Sequence, residues 1–306
     1  MIGYITYKVF NSALLLALSR KVAPLLSIVG YPDLNSGRFF VDLSDSTTHL
    51  GDRLFFLPLL MALAKSHRGL CLSNQDRWTN PLIVNLLGGA PLPVGQADAN
   101  DLVVFPKPSY VNFRGRYQDA VLVDFTDPAA TQKISQQLVD SMGSVCKFDL
   151  PTASALASSS VGYSDQLLAN DAQYFLFSNY INSGRFRKYF VDESRLLNEC
   201  RRLKQNGVKI VHVGSAEDLA ADDAEYPFVD IDLRGKIDIA RLVNLVGCPQ
   251  VVGAVTYDNF LMHLMGLHHK HASVLFRGRF SRANYNHHMR YINNTFFTDP
   301  ALLVYL

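Results

Sequence analysis

The sequence predicts a two-domain α/β protein in which each half is a doubly wound parallel sheet. Three observations lead there. The chain has 306 residues, enough for two domains of ordinary size with a core each. Short apolar runs of strand length alternate with amphipathic stretches of helical period, the pattern of parallel strands joined by crossover helices. The alternation lapses across 152–162, a stretch of Thr, Ala and Ser with little periodicity, and then starts again. The expected division is therefore an N-terminal extension over 1–36, a first domain over 37–155 and a second over 156–306, whose C-terminal tail is a segment able to return to the first domain.

In the first half, 39–43 reads as a buried strand and 44–51 as a polar loop. A helix follows over 52–65, with Leu54, Leu57, Leu60, Met61 and Ala64 along one side. Strands are expected at 69–72, 102–105 and 120–124, and helices at 80–87 and 129–141. Gly88-Gly89 closes the first of those two helices. In the second half the expected strands are 174–177, 209–213, 250–254 and 272–276. The expected helices are 193–205, ended by Asn206-Gly207, then 239–246 and 258–267. Two such halves joined by a linker place a cleft between the carboxyl ends of their strands, where ligands of these sheets bind.

Composition narrows the function classes. Apolar residues make up 48% of the chain, and 29 basic against 27 acidic residues leave a formal charge of +2. That field is too weak to argue for nucleic acid. The four cysteines, Cys71, Cys146, Cys200 and Cys248, show no metal-knuckle spacing. In a chain with this much core they read as buried thiols of a reducing cytosol. Near the N-terminus an apolar run at 13–18 is broken by Arg20, Lys21 and Pro24, short of the roughly 20 apolar residues that span a bilayer. It reads as an extra helix packed on the body. The alternative is an amphipathic segment resting on the inner leaflet, with Lys8, Arg20 and Lys21 near anionic lipid.

The first chemical candidate is the stretch from Ser46 through Gly51 and Asp52 to Leu60, which follows a strand and opens a helix. By residue type alone Asp52 fits a helix N-cap as well as a functional carboxylate. His263, His268, His269 and His271 lie close in sequence, but without a carboxylate or cysteine at ligand spacing they make a poor metal set. Arg277, Arg279 and Arg282 follow the last strand, where arginine forks suit phosphate or an acidic sugar. Trp78, the sole tryptophan, precedes a helix; packing and sugar stacking both fit it.

The string HLGDRLFFLPLLMAL resembles the loop and helix that open the heptosyltransferases and their relatives in glycosyltransferase family 9. Three segments of the second half follow that family's donor domain in order: KIVHVGSAED, FVDIDLRGKIDIARLVNLVG and QVVGAVTYDNFLMHLMGL. The resemblance spans roughly 39–280 and is dense only near 46–64 and 209–279. It implies a GT-B fold of two Rossmann-like domains facing a cleft. It implies further an inverting, metal-independent glycosyltransferase, with a nucleotide sugar as substrate and no separate cofactor. The implied acceptor is a lipopolysaccharide, capsule or related lipid-linked glycan, met in the cytoplasm or at the inner face of the plasma membrane.

By the same resemblance Asp52 is the general base, with Asp45 as the fallback and His49 as an orienting group. Lys188, in the place of the family's Lys-x-Trp-Pro lysine, approaches the donor phosphate. Gly214 with Ser215, Gly235 with Lys236, Asp258 with Asn259, His263 and Arg277 complete the donor site. The physical logic is that a leaving diphosphate gains negative charge, which a helix N-terminus and fixed cations stabilise. Two features depart from the pattern. Phe260 stands where the family has glycine, and Val255, Thr256 and Tyr257 lie between the expected strand end and Asp258. A nucleotide-sugar epimerase or hydrolase of the same fold, or a sugar-binding module without activity, would share these features.

Overall fold

The computed structural model describes residues 28–29, 38–45, 50–64, 69–106, 120–123, 164–179, 193–221, 223–275 and 299–306. The chain divides into two units, Met1–Thr79 with Leu92–Leu150, and Asn80–Pro91 with Pro151–Leu306. The expected linker at 152–162, the helix over 129–141 and Cys146 lie outside the described residues.

The first sheet has six strands: β1 (Ile28–Val29), β2 (Phe39–Val41), β3 (Leu70–Ser73), β4 (Val94–Gly95), β5 (Leu102–Pro106) and β6 (Ala120–Val123). Their order is β1-β6-β5-β2-β3-β4. All pairings are parallel except that of β1, which runs antiparallel along β6. Residues 28–29 were expected in a helical extension and are instead this edge strand. Phe39, Phe40, Val41, Leu70, Cys71 and Leu72 are all buried, as strands covered on both faces require. The described helix of this unit is α1 (Leu50–Ala64); α2 (Thr79–Leu87) starts at Thr79 of this unit and otherwise belongs to the second, and Gly88 leaves it with φ +60°. Leu54, Leu57 and Leu60 of α1 are buried on the expected stripe.

The second sheet is wholly parallel, with β7 (Tyr174–Ser178), β8 (Lys209–His212), β9 (Ile231–Asp232), β10 (Val251–Tyr257), β11 (His271–Leu275) and β12 (Leu303–Tyr305). The order β12-β11-β10-β7-β8-β9 is that of a complete dinucleotide-type sheet, reversing between β7 and β10. The described end of the chain thus adds a strand beside β11, where the sequence suggested a tail able to return to the first domain. The helices are α3 (Ser194–Gln205), α4 (Ala216–Ala221), α5 (Ile239–Gly247) and α6 (Phe260–Leu267).

Helix α3 buries Leu196, Cys200 and Leu203, spaced four and three apart, and its other positions face solvent or are half-buried. It stops where Gly207 takes φ +82°, with Val208 N–H bonded to Leu203 C=O and Gly207 N–H to Lys204 C=O. Beneath it lie Phe175, Phe177, Ile210, Phe228, Val255, Tyr257 and Leu275. Gly253 sits mid-strand in β10 because a Cβ there would come within 2.7 Å of the Phe175 ring and 2.8 Å of the His271 carbonyl. Cys71, Cys200 and Cys248 are free thiols and buried. No described helix is long and apolar enough to cross a membrane.

Candidate functional site

The motifs expected to form a donor site lie on one edge of the second sheet. Gly214 and Ser215 follow β8, Gly235 and Lys236 follow β9, and Asp258 and Asn259 follow β10, so all six stand at carboxyl ends of parallel strands. That edge, next to the reversal between β7 and β10, is where open α/β sheets bind ligands.

Two glycine loops meet there. The Gly235 N–H donates to the Gly214 carbonyl at 2.9 Å, and Leu233 N–H to the His212 carbonyl at 2.8 Å. Gly235 has φ +66°, and a Cβ on it would stand 3.3 Å from Ala216 Cα. A Cβ on Gly214 would lie 2.9 Å from Asp218 Oδ2. Asp218 passes so close because it caps the turn: Ser215 N–H donates to its carboxylate at 2.6 Å, and Asp218 N–H donates back to Ser215 Oγ at 3.2 Å. The Ser215 amide is thereby spent on Asp218. Lys236 is exposed and donates to the Asp232 carbonyl at 2.8 Å. An open depression of about 500 Å³ is lined by Gly235, Lys236, Ile237, Asp238 and Arg241.

Behind these loops Arg234, nearly inaccessible, donates to both carboxylate oxygens of Asp232 and to the Ala224 carbonyl. Burial, the largest single influence, would raise the Asp232 carboxyl, but the Arg234 guanidinium and backbone N–H, with the charges of Arg234 and His212, together hold the group below its ordinary range. Beside β7, Asn179 donates from Nδ2 to Glu193 (3.2 Å) and to the Tyr226 hydroxyl (2.9 Å). Its Oδ1 faces His212 Nε2 at 3.0 Å, so the Nε2 proton is the donor. This network gave no sequence signal, since its members lie 14 to 47 residues apart.

The start of α6 corrects two expectations. Val255, Thr256 and Tyr257 do not loosen a turn; they extend β10, and only Asp258 and Asn259 separate strand from helix. The cap is not Asp258 but Asn259, in extended backbone (φ −147°), whose Oδ1 accepts from Leu261 N–H at 3.0 Å and Met262 N–H at 3.4 Å. Those backbone donors, expected to hold phosphate, therefore already have an acceptor within the chain. Thr256 Oγ1 donates to the same Oδ1, and Asn259 Nδ2 reaches Ser178 Oγ. Phe260 opens the helix. His263 is 8% exposed within α6, whose residues from Leu261 to Leu267 are all buried.

Asp52 lies in the first turn of α1, just beyond the loop after β2 and at the strand reversal of the first sheet, though its side chain lies outside the described residues. Asp45 of that loop is 8% exposed. Sequence reasoning passed over Arg53. Its side chain is buried, donating to the Leu43 carbonyl at 2.7 Å and facing Asp76 Oδ1 at 3.4 Å. Lys188, Arg277, Arg279, Arg282 and His49 lie outside the described residues.

Among the described residues no group of three or more potential ligands could hold a metal. His269 takes φ +53° in the turn that ends α6. Burial, helped by the charges of Lys270 and His269, pushes the His268 imidazole down to about 4 from its ordinary 6.5. On acidification the unfolded chain takes this proton first, so stability is lost as pH falls from 6.5 towards 4, by about 3 kcal/mol. Denaturant unfolding at neutral pH and at about pH 4.5 should show this loss, and His268→Gln should shrink it. Equal losses in both proteins would exclude His268 as the source.

No family model matches the chain, and no curated protein does. Solved structures do. A family 9 glycosyl transferase from Veillonella parvula DSM 2008 aligns over 88% of this chain and 86% of its own, at 16% identity and TM-score 0.54. The E. coli heptosyltransferase WaaC with ADP-2-deoxy-2-fluoro heptose aligns over 88% and 92%, at 12% identity and TM-score 0.50. With its two predominantly parallel sheets and their crossover helices, this chain has the GT-B-type α/β fold of the heptosyltransferase-like family 9 glycosyltransferases.

Proposed function

We propose that this chain is an inverting glycosyltransferase that moves a sugar from a nucleotide-sugar donor to a lipopolysaccharide, capsule or related glycan acceptor. The observation that supports it most is the gathering of three donor-type motifs, around Gly214, Gly235 and Asn259, at the carboxyl edge of one parallel sheet. The similar E. coli enzyme carries an ADP-sugar analogue. In the proposed step the acceptor hydroxyl attacks the anomeric carbon, the bond from that carbon to the diphosphate breaks, and Asp52 takes the hydroxyl proton. The leaving diphosphate is held by Lys188 and by Arg277, with no metal needed. The joined loops at Gly214 and Gly235 shape the nucleotide pocket, and His263 backs it.

A thermal-shift panel of nucleoside diphosphates and nucleotide sugars tests this. At a hundredfold excess over Kd, one of them should raise the melting temperature by roughly 5 to 10 °C, and equally in EDTA. Gly235→Ala should reduce that shift, because φ +66° and the nearby Ala216 backbone force its loop away from Gly214. A panel in which nothing shifts would remove the proposal, and a shift lost in EDTA would remove its metal independence.

A further inference from the structure

Trp78 is 40% exposed, an unusual place for the residue type with the largest apolar surface. It belongs to the loop after β3, whose Asn74, Gln75 and Arg77 are exposed as well. Only Asp76 turns inward. Its carboxylate accepts from Trp78 N–H at 3.0 Å, Thr79 N–H at 3.3 Å and Thr79 Oγ1 at 2.5 Å. The same carboxylate faces Arg53 of α1, the residue next to Asp52. One buried ion pair therefore ties this loop to the turn that carries the proposed base. Both follow adjacent parallel strands, β2 and β3, at their carboxyl ends.

We infer that the loop Asn74–Trp78 is the acceptor-sugar subsite, an inference that rests on the transferase function proposed above. The chemistry matches a saccharide. The C–H face of a pyranose is apolar and faintly positive, and it rests on the negative face of an indole. The hydroxyls around its rim are met by side chains that donate and accept in a plane, as Asn74 and Gln75 do, while Arg77 adds a fork for an acidic sugar or a phosphate substituent. The Asp76 anchor holds the backbone of Trp78 before the sugar arrives, which lowers the entropy lost on stacking.

Because Trp78 is the only tryptophan, its emission reports on the subsite directly. The full chain is titrated with neutral and acidic oligosaccharides released from bacterial lipopolysaccharide and capsule. A saturable change in emission is expected with at least one of them, and Arg77→Ala weakens it for an acidic ligand. In transfer assays Trp78→Ala raises the acceptor KM about tenfold and Trp78→Phe recovers most of the loss. The nucleoside diphosphate thermal shift is kept in both variants. Emission that stays flat across the panel, with the nucleotide shift intact, overturns the subsite and leaves the transferase function standing. If neither saccharide nor nucleotide binds, the transferase function falls and the subsite with it.

Discussion

Replacing Asp52 by asparagine is expected to lower kcat for sugar transfer by roughly 10²- to 10⁴-fold, the usual weight of a general base. Asparagine keeps the shape of the side chain and its place in the first turn of α1, but it cannot accept the proton of the attacking hydroxyl. In the proposed site nucleotide binding draws on the second sheet, so the thermal shift with nucleoside diphosphate should survive the substitution. The first turn of a helix suits a carboxylate, because the unpaired N–H groups there favour negative charge. Asp42 and Asp45 precede it on the same connection. Asp42 is fully buried and accepts from the Ser44 amide and hydroxyl, which gives it a turn-building role. Asp45→Asn is the matched control and should cost far less. Undiminished turnover in Asp52→Asn, with a large loss in Asp45→Asn, would transfer the role to Asp45.

Arg53→Met should destabilise the first unit by about 3 kcal/mol, measured as a shift in its denaturant midpoint. Two groups lose a partner at once, the Leu43 carbonyl and the buried Asp76 carboxylate. The cost stays near the lower end for a broken buried pair because Asp76 keeps three donors, from Trp78 and Thr79. Asp76→Asn should cost less than Arg53→Met. The double variant should cost less than the two single changes added together, as coupling through one contact requires. A loss within about 0.5 kcal/mol for Arg53→Met would show that the guanidinium does not brace the turn.

Element type was legible wherever a long pattern of apolar residues met a clear stop. Helix α3 could be read from Leu196, Cys200 and Leu203 and from the Asn206-Gly207 that ends it. The buried strands could be read as continuous apolar runs. The short pieces were not. Val94–Gly95 and Ile231–Asp232 are too brief to carry a period, and they are strands only because a longer strand beside them offers its N–H and C=O groups. Leu303–Tyr305 pairs with β11 across some thirty residues of chain, which no local pattern encodes.

At the candidate site the same division holds. Asp52, Gly214, Gly235 and the start of α6 were marked by the resemblance of their segments to the heptosyltransferase motifs, and the glycine turns and helix starts among them are local features that a sequence carries. The choice of Asn259 over Asp258 as cap was not legible, since either residue can cap and the length of β10 decided between them. Nor was the exposure of Trp78, which hangs on Asp76 being drawn inward by Arg53, 23 residues earlier. By itself the sequence determined that two α/β halves form and which loops carry polar chemistry, because hydrophobic period and turn chemistry are local. Only the tertiary structure decided which polar groups are already used up within the chain, because a hydrogen bond between distant loops exists only once the sheets have brought them within about 3 Å.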